Sequence, residues 1–289
     1  MKIEDTGTKN LLDYADLKHN DPILYLGGRV DDNNLYPTDY VKYLNGKIKK
    51  LNPKHIICHN HWYAWKYYDK GILDESMKID TIMCYRDHIH NDHFDPINKE
   101  DYSGEHRWCI LPLVEKNPDI VFSIYDPWKH KHHQPSVEID VEWFNEADAN
   151  IDDNNFRYFS FDRSYSPEEL TKIYRMGRPP TDPTLGHGDH IRNSTDGFAI
   201  LTNLLKLGFE QLNIIGFTAF GSDEDDSNFS TYETSHDGMI KGSTYFKLGT
   251  SEDQLAEADI LKYWTERKKI YNLENYEILT RCIEKKNKC

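Results

Sequence analysis

The sequence Ile23-Leu24-Tyr25-Leu26-Gly27-Gly28 joins a short apolar run to a pair of glycines. Consecutive apolar residues bounded by turn residues are typical of a strand that is buried on both faces. Further short apolar runs predict strands over residues 55–58, 81–85, 108–111, 120–124 and 212–215. Buried strands of this kind indicate a sheet whose strands are largely parallel.

Stretches with helical periodicity lie between these runs. In residues 39–51, the side chains of Val41, Leu44 and Ile48 fall on one helical face. Residues 166–176, 195–207 and 252–271 also predict helices. The alternation of strands and helices therefore predicts an α/β fold, with a largely parallel sheet flanked by helices, in a single domain over residues 1–289.

Two long polar stretches, residues 129–155 and 221–249, each follow a predicted strand. Loops of this length are usually functional or disordered. Since the loops that follow parallel strands meet at one edge of the sheet, both stretches are expected to form the rim of a site. The basic cluster at residues 129–133 within the first loop is interpreted as a solvated turn in preference to a phosphate-binding lid.

The composition narrows the possible partners. The 35 basic and 49 acidic side chains give a net charge of −14, which disfavours binding to nucleic acid or to an anionic membrane surface. No apolar run is long enough to predict a transmembrane segment, and the acidic N-terminal stretch does not resemble a signal peptide. The five cysteines have no CxxC spacing, so we expect free thiols and a cytoplasmic protein.

Two glycine-containing turns are candidate anion sites. Gly27-Gly28 follows the first strand, where glycine lets the backbone approach a phosphate, although such a pair is also common in plain turns. Ser194-Thr195-Asp196-Gly197 precedes a predicted helix, whose free first-turn amides attract anions. The alternative for this second turn is an ordinary helix cap.

A histidine-rich segment offers a different chemistry. His88, His90, Asp92 and His93 have the HxHxDH spacing with which metallo-β-lactamase-type hydrolases ligate zinc. The alternative interpretation is a solvated loop. Farther along the chain, His236 lies in the second long loop and could act as a general base. Acidic residues at the start of the 252–271 helix are expected from the helix dipole alone.

Taken in chain order, these segments resemble the sialyltransferase-type glycosyltransferases, in their eukaryotic-type family with its bacterial and viral relatives. Leu26-Gly27-Gly28 is similar to the start of the large nucleotide-binding motif, and Cys58-His59-Asn60 to a strand that ends in a donor-contacting asparagine. The family's small motif also has a similar counterpart, which consists of residues 194–197, the helix after them, and the strand that ends in Gly216-Phe217.

The resemblance implies a Rossmann-like variant fold, with the long loops on the acceptor side and no required metal or other cofactor. It implies a CMP-activated, sialic-acid-like donor, with UDP-sugars as a possible alternative, and inverting transfer to a glycan hydroxyl in glycan biosynthesis. His236 is implied as the base, or Asp253, which stands where the family's late histidine would align. The implied donor-binding residues are Gly27, Gly28, Asn60, Ser194, Thr195, Gly197, Gly216 and Phe217.

Two other classes remain open from the sequence. One is the metal-dependent hydrolase built on His88, His90, Asp92 and His93. The other is a non-catalytic module that binds carbohydrate or a partner, since aromatic residues such as Trp62 stack well on sugars.

Overall fold

The computed structural model describes residues 2–31, 36–85, 109–126, 135–139, 151–160, 196–217, 264–265 and 268–286. Within these residues, the main sheet has seven strands, and all of its neighbouring strands are parallel. A small antiparallel pair, Lys2–Glu4 with Ser136–Glu138, lies beside the edge strand Phe156–Ser160 of this sheet, where Asp5 bridges to Tyr158. The strands are β1 (Lys2–Glu4), β2 (Ile23–Leu26), β3 (His55–His59), β4 (Thr81–Tyr85), β5 (Val121–Asp126), β6 (Ser136–Glu138), β7 (Phe156–Ser160), β8 (Leu212–Ile215) and β9 (Ile270–Asn272).

Helices cover both faces of the main sheet. The described helices are α1 (Thr38–Leu51), α2 (His61–Asp69), α3 (Ile110–Lys116), α4 (Asp196–Lys206) and α5 (Tyr276–Lys286). Buried residues of α1, α2, α3 and α5 share one apolar cluster with alternate strand residues. Residues of α4, together with Trp264 and the N-terminal Leu11 and Leu12, pack on the other face. This layering confirms the predicted α/β class and is Rossmann-like.

The predicted strands at residues 23–26, 81–85 and 212–215 are confirmed with the expected bounds. Helix α1 is also confirmed, since Val41, Leu44 and Ile48 are buried on one face. It begins after Pro37 and ends before Asn52, which has the left-handed conformation that commonly stops a helix. Every residue of β2 and β8 is buried, as expected for strands covered on both sides.

The strand predicted at residues 108–111 is wrong, because Ile110 begins helix α3. Its buried residues Ile110, Leu113 and Val114 follow helical spacing, and Pro112 lies in the first turn, where the helix needs no amide donor. The apolar start of this helix has the composition of a strand, and its helical period shows only in the residues that follow.

The helix predicted over residues 252–271 is wrong at its end. Its last residues, beginning at Ile270, form strand β9, which pairs with β8 through Leu212. Lys268 has φ +56°, so the backbone leaves the helical conformation before the strand begins. The polar stretch 129–155 likewise contains strand β6, which pairs with β1, whereas residues 221–249 lie outside the described residues.

Cys58, Cys84 and Cys109 are buried free thiols, as predicted. Burial is the main cause that raises the pKa of all three thiols, so they are protonated packing groups at neutral pH. Among the described helices, none combines the length and the apolar character that crossing a membrane requires.

Candidate functional site

The order of the strands creates a topological switch point between β2 and β8. From β2 the chain builds the sheet outward through β3, β4, β5 and β7, and it then returns to place β8 against the opposite side of β2. The connections leaving the carboxyl ends of β2 and β8 therefore diverge. Such a divergence opens the crevice in which Rossmann-like folds bind ligands.

Two glycines meet at this point. The registers of Leu26 with Ile215 and of Leu26 with Cys58 place Gly216, Gly27 and His59 in one row across three strands. The amide of Gly27 donates to the Ile215 carbonyl at 2.7 Å. A Cβ atom on Gly27 would lie 2.5 Å from the Gly216 carbonyl oxygen, so the close approach of the two strand ends requires glycine.

Buried polar side chains hold this pair of glycines in place. The Tyr67 hydroxyl donates to the Gly27 carbonyl at 2.9 Å. The carboxylate of Glu274, which is 8% exposed, accepts from the Gly216 amide at 3.0 Å and from the Tyr36 hydroxyl at 2.9 Å. The amides of Gly27 and Gly216 therefore donate within the protein, and an anion at this edge has to be bound by other groups.

Gly28 and Gly197 lie on the two flanks of the switch point. A Cβ atom on Gly28 would lie 2.7 Å from the ring of Tyr63, and one on Gly197 would lie 3.4 Å from the ring of Phe217. Phe217 in turn packs edge-on against Tyr25, with ring centroids 5.0 Å apart. The first turn of α4 therefore starts against the crevice on its β8 side.

Asn60 caps helix α2 at the same edge of the sheet. Its side-chain oxygen accepts from the Trp62 amide at 2.9 Å, and its own amide donates to the Met83 carbonyl at 2.8 Å. The φ angle of Asn60 is +70°, which asparagine tolerates better than most residues. Its side-chain oxygen thus has a capping role, at the position where the sequence predicted a donor contact.

The structure brings together Gly27, Gly28, Gly197, Gly216 and Phe217 from the predicted donor site, with Asn60 after the neighbouring strand. Several predicted residues lie outside the described residues: Ser194, Thr195, His236, Asp253, His88, His90, Asp92 and His93. In the chain, Ser194 and Thr195 directly precede α4. Across the ranges that the structure describes, no three His, Cys, Asp or Glu side chains form a group that could hold a metal ion.

Sequence reasoning missed His59, Tyr67 and Glu274 as parts of this edge. The position of His59 before Asn60, at the end of a predicted strand, is a signal that could have identified it. Glu274 has no local signal, because it follows β9, whose residues 270–271 the sequence predicts as helical.

Comparison of the chain with protein-family models, with curated proteins and with solved structures found no match in any of the three.

Proposed function

We propose that the chain is a glycosyltransferase that binds a nucleotide-activated sugar at the switch point between β2 and β8. One observation carries this proposal. The crossing to β8 brings Gly27 beside Gly216 and Phe217, and Phe217 in turn contacts Gly197 of α4, although these segments are far apart in the chain. They are the segments that resemble the two nucleotide-binding motifs of the sialyltransferase-type family.

Helix α4 supplies the means to bind an anionic donor to an acidic protein. The amides of a first helical turn point out of the end of the helix, and the helix dipole adds positive potential at this end. The hydroxyls of Ser194 and Thr195, immediately before the helix, add further donors. A local site of this kind binds a nucleotide phosphate in spite of the net charge of −14.

The proposed reaction is an inverting transfer. The acceptor hydroxyl oxygen attacks the anomeric carbon, while the bond from that carbon to the phosphate oxygen breaks and the nucleotide leaves with the bonding electron pair. His236 or Asp253 takes the hydroxyl proton. Donors at the start of α4 stabilise the negative charge that develops on the departing phosphate.

Isothermal titration calorimetry with CMP and with UDP tests the proposal directly. We expect CMP to bind in the micromolar to millimolar range typical of substrates and UDP to bind more weakly. If the folded protein binds neither nucleotide, the proposal is wrong. Release of CMP from a CMP-sugar, followed in the His236→Ala and Asp253→Asn variants, distinguishes the two candidate bases.

Gly197→Ala tests where the nucleotide binds. The added methyl group meets Phe217 at an ordinary contact distance of 3.4 Å, so the fold should tolerate it. We expect it to weaken CMP binding about tenfold by narrowing the approach to the first turn of α4. Gly46→Ala is the matched control, because it adds the same methyl group to α1 with nothing within 4 Å.

A further inference from the structure

His59 ends the strand next to the switch point. Its position in the row with Gly27 and Gly216 follows from the registers of β3 with β2 and of β2 with β8. Neither glycine has a side chain. Along the row from Gly216 through Gly27 towards β3, the imidazole of His59 is therefore the first side chain. The side chain is half-buried, so it is held by the protein and still reaches solvent.

Aromatic residues from three different elements fix the orientation of the imidazole. The Tyr25 hydroxyl of β2 lies 3.3 Å from His59 Nδ1. The ring of Tyr63 on α2 stacks with it at a centroid distance of 6.3 Å, and that of Tyr125 on β5 lies at 6.0 Å. An imidazole oriented through Nδ1 directs its other nitrogen to a defined position, as in many proton-transfer and anion-binding sites.

Tyr25 also links His59 to the other side of the crevice. Its ring packs edge-on against Phe217, while its hydroxyl approaches His59. Since β2 lies between β3 and β8, His59 and Phe217 flank the switch point from opposite sides. The first turn of α4 adjoins Phe217 through Gly197, so a ligand at this turn lies on the β8 side of the switch point and His59 on the β3 side.

We propose that His59 binds the phosphate of the nucleotide from the β3 side, opposite the first turn of α4. This inference rests on the proposed function. The amides of Gly27 and Gly216 already donate within the protein, so the phosphate needs other donors. The phenols of Tyr25, Tyr63 and Tyr125 contact His59, and of these four side chains only the imidazole gains positive charge near neutral pH.

The test is the pH dependence of nucleotide binding. The probe is the 5′-methyl ester of CMP, because a phosphodiester keeps its single negative charge across the range used. Calorimetry at about pH 5.5 and about pH 8 compares this probe with cytidine, which has no phosphate. For the wild type, we expect the probe to bind about tenfold more tightly at the lower pH and cytidine to bind equally at both.

His59→Gln should remove this pH dependence, because glutamine donates a hydrogen bond but carries no charge. His19→Gln is the matched control, since His19 is an exposed histidine beside Gly208 at the amino edge of the sheet, and it should behave as the wild type. In case His59→Gln does not fold, the NMR titration of the His59 ring in the wild-type protein gives a second measurement. Its pKa should rise when the probe binds.

The outcomes separate the two proposals. If the wild type binds neither CMP nor UDP, the proposed function fails. If the probe binds but its affinity does not depend on pH, or keeps its pH dependence in folded His59→Gln, the role of His59 is wrong and the proposed function stands. An NMR pKa of His59 that does not change on binding overturns the role of His59 in the same way.

Discussion

At the scale of single residues, His55 has a structural role at one edge of the sheet, whereas His59 is proposed to bind a ligand at the other edge. It begins β3, at the edge opposite His59, and its Nε2 lies 2.8 Å from the Thr81 hydroxyl. The Tyr14 hydroxyl bonds to the same Thr81 oxygen, and His55 Nδ1 lies 3.8 Å from the Asp80 carboxylate. These buried contacts attach the N-terminal segment to the sheet, so the histidine of this edge has a structural role.

The titration of His55 should make the protein less stable in mild acid. Burial lowers the pKa of His55 to about 4, whereas a histidine in the unfolded chain has a pKa of about 6.5. The fold therefore favours the neutral ring, and the free energy of unfolding should fall by up to about 3 kcal/mol as the pH decreases from about 6.5 to about 4. Urea unfolding at a series of pH values measures this loss.

Asp80 acts in the opposite direction and has to be separated from His55. Burial is the main cause that raises the pKa of Asp80, so its protonation at low pH favours the fold and offsets part of the loss. The His55→Gln variant keeps a hydrogen-bond donor for Thr81 and leaves Asp80 in place. Its stability should fall less than that of the wild type over the same range, and an equal fall in both proteins would contradict the role assigned to His55.

At the scale of elements, α1 contains a glycine that its packing does not require. Gly46 lies inside the helix, and a Cβ atom there would have nothing within 4 Å. Alanine is favoured over glycine in a helix interior by about 1 kcal/mol. Gly46→Ala should therefore raise the free energy of unfolding by about this amount in urea titrations. The structural explanation fails if the variant is less stable than the wild type.

Local sequence patterns predicted the elements whose buried residues follow a regular spacing. They failed where contacts with distant parts of the chain determine the secondary structure. The strand at 23–26 and helix α1 follow from their own periodicity. Strand β9 could not be predicted, because Ile270 forms a strand by pairing with Leu212, far away in the sequence. Helix α2 was also missed, since its buried residues His61, Ala64 and Tyr67 lie among partly buried aromatic residues that hide the period.

At the scale of the whole molecule, the site depends on the order of the strands, which no local pattern contains. The sequence predicted Gly27 as an anion-binding residue from its turn after the first strand, and Gly216 as a donor-binding residue through the family resemblance alone. The structure gives them a packing reason instead, because the strand ends approach too closely for a side chain on Gly27. The contribution of Glu274 arises only when the segment after β9 folds beside β8, so it could not be predicted from the sequence.

Whether the protein is a transferase or a metal-dependent hydrolase also has to be tested on the whole molecule. The hydrolase alternative uses His88, His90, Asp92 and His93, which follow β4 in the chain. In the proposed transferase, the departing phosphate is stabilised by the amides of α4 and by His59, so the reaction needs no metal. We therefore expect purified protein to contain no stoichiometric zinc or iron, and a chelator to leave CMP binding unchanged.

Elemental analysis by mass spectrometry, carried out on the wild type and on His90→Ala, measures the metal content. His19→Gln serves as the control for the loss of a histidine outside the motif. A zinc or iron pair that is present in the wild type and in His19→Gln but is lost in His90→Ala would support the hydrolase. Two metal ions bound at the carboxyl end of β4 would add strong positive charge to the same edge of the sheet. In that case the metals, and not α4 and His59, would explain the binding of the phosphate.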